Sequence, residues 1–476
     1  MTGKRIKTDA GLSQSAMSVP APNNATVERF ARWAVRLDRD AVPATVAAVA
    51  RALLLDFAGL CIAARKTDYV QSVLTSCDGT GDCTAVGHRR LLRAADAALV
   101  NGTAAHGEDY DDTFEGTPVH TGAVVVPAVL AACERYGRSG GDLLKGIAVG
   151  TEFMCRMALV ARTGIHRAGF HPTAVIGALG AAAGVGVALG LSARQLTNAV
   201  GVAGSLASGI IEYLAEGTWS KRLHAGWAAQ SGLRAALLGQ HGFLGPRTVL
   251  EGEHGFFHAF TEGTSKPDLA VMTEALGDTW RMRQLAFKPY ACGTMAQPFI
   301  DCAIRLAEEG IDAADIEDIV CKVGEGTVHR LWEPLNEKRN PSTPYSAKFS
   351  VPFCIAVALI DRAAGLGQFA EDRVTDPRVR ALAAKIRYQI DPTDEYPRNY
   401  TGHLTLTLKD GTQREAHQPH LRGGAREPLA LEELRAKFHA NVGFGSWPTV
   451  NADAIEAFCS SLFERDDLNA LAALRG

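Results

Sequence analysis

Apolar residues recur every three or four positions over most of residues 27–281, which is the spacing of amphipathic α-helices. The pattern is clearest in ATVERFARWAVRLD, PATVAAVARALLLDFAGLCIAAR, DAALVNGTAAHG, HTGAVVVPAVLAACERYG, GDLLKGIAVGTEFMCRMALVAR and SARQLTNAVGVAGSLASGIIEYLAEG. A further segment, HAGWAAQSGLRAALLGQHG, ends at a glycine, as helices commonly do. This part of the chain is therefore predicted to be helical.

The pattern changes near residue 282. Strand-like alternation occurs in IEDIVCKVGEGTVHRL and KIRYQID, and it flanks Asp410-Gly411 in YTGHLTLTLKDGTQREAHQ, where the dipeptide is typical of a two-residue hairpin turn. Helical segments lie between these strands, in QPFIDCAIRLAEEG and AKFSVPFCIAVALIDR. These residues are predicted to form a smaller α+β domain.

Helical spacing returns after Glu427, in ALEELRAKFHANVG and NADAIEAFCSSLFERDDLNALAALRG. If this stretch packs back on the first domain, that domain is discontinuous in sequence. We therefore predict a disordered tail over residues 1–25, an all-helical domain over 26–281 with 428–476, and the smaller α+β domain over 282–427.

One uncharged segment, Pro172–Ala193, reaches the ~20 residues that a membrane span needs. It consists mostly of alanine and glycine, which insert into membranes poorly compared with leucine and isoleucine. We therefore predict a buried core helix and no membrane association. Its small residues are expected to let a neighbouring backbone approach closely at Gly177, Gly180, Gly184 and Gly190.

Composition and charge exclude several classes of protein. The 476 residues are 47% hydrophobic, which is too apolar for a disordered chain. Lysine and arginine total 49 against 52 aspartate and glutamate residues, so the chain has no basic excess for nucleic-acid binding, and any anion site must gather its positive charge locally. The ten cysteines are scattered without a CxxC, and residues 1–25 lack the apolar stretch of a signal peptide, which predicts a cytoplasmic protein with reduced cysteines.

The densest group of polar residues, NGTAAHGEDYDDTFEGTPVHTG at 101–122, follows an apolar helix. A solvated acidic turn with a helix N-cap would explain Asp111, Asp112 and Thr113, but His120 opens another apolar helix. An imidazole oriented by a carboxylate can transfer protons near neutral pH. A divalent metal is the alternative, although the spacing matches no metal signature. The candidate residues of this segment are His106, Glu108, Asp109, Asp111, Asp112, Thr113 and His120.

Three further segments carry candidate binding residues. His171 precedes Pro172 in GFHPTAVIG, at a predicted helix start whose free N–H groups favour an anion, although a histidine there can equally be a structural cap. GTWSKRLHAGWAAQ contains Lys221 and His224, and LAFKPYACGTMAQPFID contains Lys288. Either lysine alone would be read as a surface charge. Two of them in apolar, Gly/Ala-rich surroundings suit the carboxylates of a small di- or tricarboxylic acid.

No GxGxxG, GxxxxGK[ST], HExxH or GxSxG motif occurs, so nucleotide and hydride chemistry have no support in the sequence. Taken together, seven segments resemble the MmgE/PrpD family, which includes 2-methylcitrate dehydratase, cis-aconitate decarboxylase and iminodisuccinate epimerase. They occur in family order from about residue 27 to 460: DFAGLCIAAR, NGTAAHGEDYDDT, FHPTAVIGALGAAAGVGVALGLS, GTWSKRLHAGWAAQSG, FKPYACGTM, AKFSVPFCIAVAL and REPLALEELRAKF.

The resemblance implies a mainly α fold, with a large all-helical domain, a smaller α+β lid and the active site in the cleft between them. It also implies a homodimer and an enzyme that uses no cofactor and no metal. The positions that match active-site residues of the decarboxylase branch are Asp109, Thr113, His120, His171, Lys221 and Lys288.

Two departures from that branch count against a decarboxylase. The stretch from Thr113 to His120 is one residue longer, and Phe353 stands where that branch has an active-site tyrosine. The expected function is therefore a dehydratase similar to 2-methylcitrate dehydratase, acting on a small di- or tricarboxylic acid through α-proton abstraction. The alternatives are an epimerase or a decarboxylase, and a protein that binds carboxylates without catalysis is the least favoured of the expected functions.

These reactions share a carbanion-like species beside a carboxylate, so one set of roles serves them all. We expect His120, oriented by Asp109, and His171 to be the acid and the base, in an order that the sequence leaves open. Lys221 and Lys288 are expected to bind carboxylates and stabilise developing negative charge. Thr113 and His224 complete the expected site by binding the substrate.

Overall fold

A computed structural model of the chain describes residues 24–115, 117, 119–261 and 267–476. The tail predicted for residues 1–25 lies almost wholly outside the described residues. Ala25, however, is fully buried and caps the first helix, so the packed chain begins before the predicted boundary.

The first part of the chain forms a layered bundle of helices. They are α1 Thr26–Ala34, α2 Ala44–Ala64, α3 Asp68–Ser76, α4 Ala94–His106, α5 Gly122–Arg135, α6 Gly140–Ala161, α7 Gly164–Arg167, α8 Pro172–Ala188, α9 Ala193–Leu206, α10 Tyr213–Glu216, α11 Ser220–Gln240 and α12 Phe256–Phe260. Three two-residue strands lie among these helices, which the all-helical prediction did not include: β1 Cys83–Thr84, β2 Leu91–Leu92 and β3 Thr113–Phe114. A fourth, β4 Leu285–Ala286, follows in the range predicted as α+β and pairs with β3.

The second part is a four-stranded sheet with helices packed against it. Its strands are β5 Ile316–Val323, β6 Ile386–Ile390, β7 Gly402–Leu408 and β8 Gln413–Gln418, in the order β6-β5-β7-β8. The β5–β6 pair is parallel and the other pairs are antiparallel. Its helices are α13 Gln297–Glu308, α14 Glu325–Leu331, α15 Leu335–Arg339, α16 Pro344–Ala347, α17 Val351–Asp361, α18 Glu371–Val374 and α19 Pro377–Ala383.

The predicted hairpin is confirmed, because β7 and β8 pair antiparallel. Its turn has three residues, 409–411, and not two, since the Leu408 N–H donates to the Thr412 oxygen at 2.8 Å, and Gly411 has a φ of 84°. The strand predicted from IEDIVCKVGEGTVHRL is confirmed only in its first half. Gly324 ends the alternation at Val323, and Glu325–Leu331 continues as a helix with an acidic residue in its first turn.

Buried apolar side chains form two clusters. The larger one joins the first helices to α20 (Leu431–Phe444) and α21 (Thr449–Ser461), through side chains such as Phe438 and Ile455. The smaller one lies around α13, α17 and the sheet. The fold is therefore mainly α, with a large helical unit and a smaller α+β unit. The boundaries drawn at residues 281 and 427 stay a prediction.

Among the described helices, α2 is long and apolar enough to cross a membrane, but 78% of its most apolar window is buried inside the fold. The segment singled out in the sequence, Pro172–Ala193, forms α8 only as far as Ala188; every residue of that helix is buried, whereas Gly190 beyond it is exposed. Both helices therefore belong to the packed core.

Two glycine contacts bring the elements of the site together. A Cβ on Gly226 of α11 would lie 2.1 Å from the backbone oxygen of Leu99 in α4, so these helices cross at backbone contact. A Cβ on Gly184 of α8 would lie 2.6 Å from the backbone oxygen of Gly146 in α6. The predicted approach of a neighbouring backbone is thus confirmed at Gly184 and at Gly180, where the Gly150 oxygen would lie 3.1 Å from a Cβ. Gly177 packs against side chains instead, and Gly190 follows the end of α8 with a φ of 75°.

Candidate active site

A buried loop of residues 107–112 connects α4 to β3 and lies where the two units meet. Asp109 in this loop has a φ of 57°, a left-handed conformation that is uncommon for a residue with a Cβ. Such strained positions cluster at functional sites. The strands β3 and β4 pair Thr113 with Ala286, and the chain beyond β4 therefore runs back along the loop and brings Lys288 to Asp109.

The Asp109 carboxylate is held by two lysines. Lys288 Nζ donates to Asp109 Oδ1 at 3.1 Å and to its backbone oxygen at 2.7 Å, and Lys221 Nζ donates to Oδ2. The Tyr345 hydroxyl also donates to Oδ2 at 3.3 Å. Asp109 and both lysines are largely removed from solvent, and Tyr345 is partly buried. Burial alone would raise the pKa of the Asp109 carboxyl, but Lys221 and Lys288 hold it well below its usual range.

Asp109 is one carboxylate between two lysines, so one positive charge has no negative partner within this group. Burial by itself would lower the pKa of Lys221, but the Asp109 carboxylate raises it, so the ammonium stays charged. The group Asp109, Lys221 and Lys288 therefore carries a net charge of +1 in a place that water barely reaches. A second anion, such as a substrate carboxylate, would be attracted there.

Two residues further along the loop, the Asp111 carboxylate contacts two histidines and no lysine among the described hydrogen bonds and ion pairs. Its Oδ2 lies 2.7 Å from His106 Nδ1, and its Oδ1 lies 3.5 Å from His120 Nδ1. His120 Nδ1 also lies 2.7 Å from the backbone oxygen of Asp112. The carboxylate beside His120 is thus Asp111, and the expectation that Asp109 orients His120 is wrong, because the lysines occupy Asp109.

Asp112 binds the start of α5 from the loop, but the N-cap residue of that helix is Thr121, so the acidic turn does not itself supply the N-cap that was expected there. The Asp112 carboxylate oxygens accept from the backbone N–H of Thr121 at 3.0 Å and of Gly122 at 2.8 Å. The turn is not solvated, however, since Asp111 and Asp112 are each 2% exposed. Burial, together with the Asp111 charge, raises the pKa of Asp112 to about 7.

His171 is the N-cap residue of α8, directly before Pro172, as the sequence predicted. Its backbone N–H donates to the Gly209 oxygen at 2.9 Å, and its Nδ1 lies 3.2 Å from His224 Nδ1 on α11. The Tyr213 ring packs against both imidazoles, with centroids 6.0 and 5.8 Å away. His171 and His224 therefore form one wall of the site.

Four imidazoles line up across the site. The His106 ring centroid lies 4.9 Å from that of His120 and 5.6 Å from that of His171, and the His171 centroid lies 5.3 Å from that of His224. Burial lowers the pKa of His120 to about 3 and that of His224 to about 4, and it holds the pKa of His171 well below its usual range. These three imidazoles are neutral near pH 7.

The α+β unit contributes two side chains that the sequence analysis did not select, Tyr345 and Lys348. The Arg222 guanidinium lies 4.4 Å from the ring centroid of Tyr69 in the helical unit and 4.4 Å from that of Tyr345 in the α+β unit. Beside it, Lys348 Nζ donates to Glu108 Oε2 at 2.5 Å. These contacts join the α+β unit to the helical unit at the edge of the site.

Phe353, where a tyrosine was expected from the decarboxylase branch, is fully buried in the α+β unit with its ring 5.9 Å from Phe369. The hydroxyl that reaches Asp109 comes instead from Tyr345. Nothing in the sequence singled out Tyr345, because it lies 236 residues away from Asp109.

The structure brings the predicted residues together. Asp109, Lys221 and Lys288 meet in one ion-paired group, and His120, His171 and His224 lie in the row of imidazoles. Thr113 is buried at the end of the loop, paired with Ala286. His106 and Asp111 were among the candidates of the segment but were not given a role. Their presence in the densest polar segment was the signal that could have selected them.

His106, Asp111 and His120 each offer an atom that a metal could use, and these atoms lie within 4.8 Å of one another. In the structure the Nδ1 atoms of His106 and His120 are already engaged, by Asp111 and by the Asp112 carbonyl. A cation would also meet the positive Lys288, which acts on His120. The absence of a metal stays a prediction.

Comparison with known proteins places this arrangement in a family. The profile of the MmgE/PrpD N-terminal domain matches residues 28–268, and that of the MmgE/PrpD C-terminal domain matches residues 290–458.

Individual relatives cover most of the chain. The cis-aconitate decarboxylase of Mus musculus is 30% identical over 395 residues, which are 79% of this chain and 77% of the mouse protein. The cis-aconitate decarboxylase of Homo sapiens is 30% identical, covering 79% and 78% of the two chains. That of Aspergillus terreus is 28% identical over 449 residues, covering 89% and 90%. The chain therefore belongs to the MmgE/PrpD family and is an enzyme of the lyase type.

Proposed function

We propose that this enzyme removes a carboxylate, as CO₂, from a small unsaturated tricarboxylic acid of the cis-aconitate kind. The observation that carries the proposal is the pairing of a positive group, Asp109 with Lys221 and Lys288, with a row of neutral imidazoles. The relatives named as cis-aconitate decarboxylases support this reaction over the dehydration expected from the sequence. Phe353 does not leave the site without a tyrosine hydroxyl, because the hydroxyl of Tyr345 reaches Asp109.

The two lysines hold the carboxylates that stay on the substrate. Lys221 and Lys288 each donate to Asp109, and an ammonium has three N–H donors, so each retains donors for a substrate oxygen. As the leaving carboxylate departs, negative charge moves toward the carboxylates that remain. A positive charge fixed in a site with little water stabilises that charge more in the transition state than in the ground state.

The imidazoles supply the proton that is added to the substrate carbon. When CO₂ leaves, the electron pair of the broken C–C bond forms a new double bond, and the electrons of the former double bond take a proton at the carbon beside a remaining carboxylate. His120 or His171 delivers that proton, and the product is a dicarboxylate with a terminal methylene group. Anion binding stabilises an imidazolium, which allows a normally neutral histidine to act as the acid.

Dehydration is the second candidate, and the number of imidazoles favours it. Loss of water needs a base for the α-proton and an acid for the leaving hydroxyl, and His120 and His171 lie on either side of His106. Decarboxylation needs only the acid. The same histidines can therefore perform either reaction, and the substrate that the enzyme accepts decides which reaction occurs.

Proton NMR of the purified enzyme in D₂O with cis-aconitate, citrate, 2-methylcitrate and malate tests the proposal. We expect CO₂ release from cis-aconitate and one deuterium in the methylene product. Loss of water from 2-methylcitrate without CO₂ release would instead establish the dehydratase. Deuterium exchange in a substrate without either loss would show proton abstraction without elimination, the first step of an epimerase. EDTA is expected to leave the activity unchanged, and restoration of a lost activity by Mg²⁺ or Zn²⁺ would contradict the metal-free reaction.

We further propose that the enzyme works as a cytoplasmic homodimer. Exposed apolar side chains follow one another on the segment between α9 and α11, with Ile210 63%, Leu214 57% and Trp219 49% exposed. Several apolar side chains exposed on one short segment would be covered by an interface with a second copy. Light scattering after size exclusion is expected to give twice the chain mass and to fall to one chain in Leu214→Glu. A monomeric wild-type protein would contradict the proposal.

A further inference from the structure

Arg222 is a positively charged side chain at the edge of the site that has no anionic partner among the described residues. It follows Lys221 in the first turn of α11 and is partly buried. Its Nε is buried without a hydrogen-bond partner, and no described residue forms a hydrogen bond or an ion pair with its Nη1 or Nη2. Because a charge that is withdrawn from water is normally paired, this guanidinium suits an anion that comes from outside the chain.

Two aromatic rings fix the plane of the guanidinium. Tyr69 of α3 and Tyr345 of α16 each place a ring centroid 4.4 Å from its central carbon. Stacking of this kind uses the faces of a guanidinium and leaves the N–H groups in its plane unused. Since Nε is enclosed, the N–H groups on Nη1 and Nη2 are the ones that a ligand can reach, and such a pair matches the two oxygens of a carboxylate.

The nearby Glu108 carboxylate does not occupy Arg222. Glu108 Oε1 accepts from the Tyr69 hydroxyl at 3.0 Å, and Oε2 accepts from Lys348 Nζ at 2.5 Å. Burial alone would raise the pKa of Glu108, but Lys348 and Arg222 lower it, so this carboxylate is ionised and paired with Lys348. Glu108 and Lys348 therefore balance each other, and the charge of Arg222 stays without a bonded partner.

Arg222 also lies close to the ion-paired group of Asp109, Lys221 and Lys288. The Tyr345 ring that stacks on Arg222 carries the hydroxyl that donates to Asp109 Oδ2 at 3.3 Å, and Lys221 donates to the same oxygen. One tyrosine side chain therefore separates Arg222 from this group. The group has a net charge of +1, and Arg222 adds a second positive charge beside it. Two such charges suit a ligand with more carboxylates than the lysines alone hold.

We propose that Nη1 and Nη2 of Arg222 bind the carboxylate that a tricarboxylate substrate loses as CO₂, while Lys221 and Lys288 hold the two carboxylates that remain. The inference rests on the proposed function, and it makes Arg222 the residue that distinguishes the substrate from its dicarboxylate product. When the C–C bond breaks, its electron pair enters the new double bond, His120 or His171 adds the proton, and neutral CO₂ leaves Arg222. The product has no carboxylate for Arg222, which favours product release.

Calorimetry with two unreactive ligands measures this selectivity. Tricarballylate is a saturated tricarboxylate, and methylsuccinate is the same molecule with a hydrogen in place of one terminal carboxylate. We expect Arg222→Gln to weaken tricarballylate binding by about 10–100-fold, since it removes charge-assisted hydrogen bonds, and to change the Kd of methylsuccinate by no more than about twofold. Arg222→Lys keeps the charge but lacks the paired N–H groups, so its loss should be intermediate.

Arg330→Gln is the matched control. Arg330 of α14 is another partly buried arginine that joins the two units, but its Nη2 lies 2.9 Å from Nε2 of His166 in α7. This variant should keep the wild-type Kd for both ligands. Equal weakening of both ligands in Arg222→Gln would show that Arg222 only joins the two units. That result, an unchanged Kd for tricarballylate in Arg222→Gln, or a loss of selectivity in Arg330→Gln instead would overturn the inference.

Steady-state kinetics give a second readout. The leaving carboxylate loses its negative charge in the transition state, so Arg222 stabilises the bound substrate at least as strongly as the transition state. We therefore expect Arg222→Gln to raise KM for cis-aconitate by about 10–100-fold without lowering kcat. A fall in kcat at an unchanged KM would contradict the assignment.

A crystal structure of the wild-type enzyme with tricarballylate keeps the inference testable if the variants fail to fold. We expect the two oxygens of one carboxylate to lie about 2.7–2.9 Å from Nη1 and Nη2 of Arg222, and a bound tricarballylate that leaves these atoms free would overturn the inference. Selectivity that depends on Arg222, without CO₂ release from cis-aconitate, would refute the proposed reaction and keep Arg222 as a tricarboxylate-binding residue. CO₂ release with unchanged selectivity in Arg222→Gln would refute this inference alone.

Discussion

Asp109 and Asp111 lie two residues apart on one buried loop, yet they belong to two different chemical regions. Asp109 faces the lysine side, where Lys221 and Lys288 keep it ionised and leave a positive charge over. Asp111 faces the imidazole side, where burial alone would raise its pKa, but His120 and His106 lower it to about 2.

The difference separates two tasks that the site must perform. The lysine side combines the ionised Asp109 with Lys221, which Asp109 keeps charged, and with Lys288, and this arrangement suits the binding of an anion. The imidazole side has neutral rings that an incoming negative charge can protonate, which suits the movement of a proton. Four predictions test whether the two sides are as distinct as the structure indicates.

The largest effect is expected on the imidazole side. Because general acid–base groups typically contribute about 10²–10⁴-fold, His120→Asn and His171→Asn should each lower kcat by about that factor with little change in KM. Steady-state kinetics on the substrate found by NMR measures this. His88→Asn, outside the site, is expected to retain its kcat. An increase in KM without a loss of kcat would place these histidines on the binding side.

Substitution on the lysine side should change both kinetic constants. Lys288→Met removes a charge held at 1% side-chain exposure, and kcat/KM is expected to fall by about 10²–10³-fold, with part of the loss in KM. Arg156→Met is the control, since Arg156 is also buried and paired, 2.7 Å from Glu152 on its own helix and away from the loop at 107–112. It should lower the free energy of unfolding and leave KM near the wild-type value. A Lys288→Met enzyme with normal KM and kcat would remove the lysine side from the site.

The imidazole side should also determine acid stability. His120, His171 and His224 have lowered pKa values when folded, so the unfolded chain binds these protons first as pH falls below about 6.5. Asp112, with its pKa raised to about 7, binds one proton more when folded and opposes them. The net difference of about two protons predicts a loss of about 3 kcal/mol of unfolding free energy per pH unit near pH 5.

Urea unfolding between pH 5 and pH 7 measures that slope. Asp112→Asn removes the opposing group, so its slope should be steeper by about 1.4 kcal/mol per pH unit. A slope that does not differ from the wild type would mean that Asp112 is ionised in the folded protein.

The smallest effect is expected at Tyr345, whose hydroxyl joins the α+β unit to the lysine side. Tyr345→Phe removes one hydrogen bond to Asp109, and a net loss of about 0.5–1.5 kcal/mol in transition-state binding should appear in kcat/KM. Phe353→Tyr is the informative counterpart, because that ring is buried against Phe369. It should not restore the activity of Tyr345→Phe. Restored activity in the double variant would mean that a tyrosine at position 353 in α17 can supply the hydroxyl.

The sequence by itself determined the class of fold and named most of the candidate residues of the site. Helical spacing over residues 27–281, alternation around Asp410-Gly411 and the Pro172 helix start are local patterns, and local backbone preferences are enough to produce them. The identities of the two lysines and of His120 and His171 also came from the sequence, through the resemblance to the family.

Only the tertiary structure decided which carboxylate serves which partner. In a helix or strand, side-chain direction follows a fixed period, but the loop at 107–112 has none, and the left-handed residue Asp109 turns its neighbours to different sides. Lys288 and Tyr345 reach Asp109 from 179 and 236 residues away, brought there by the β3–β4 pairing and by the α+β unit. Contacts between such distant residues depend on packing of the whole chain, and no local pattern records them.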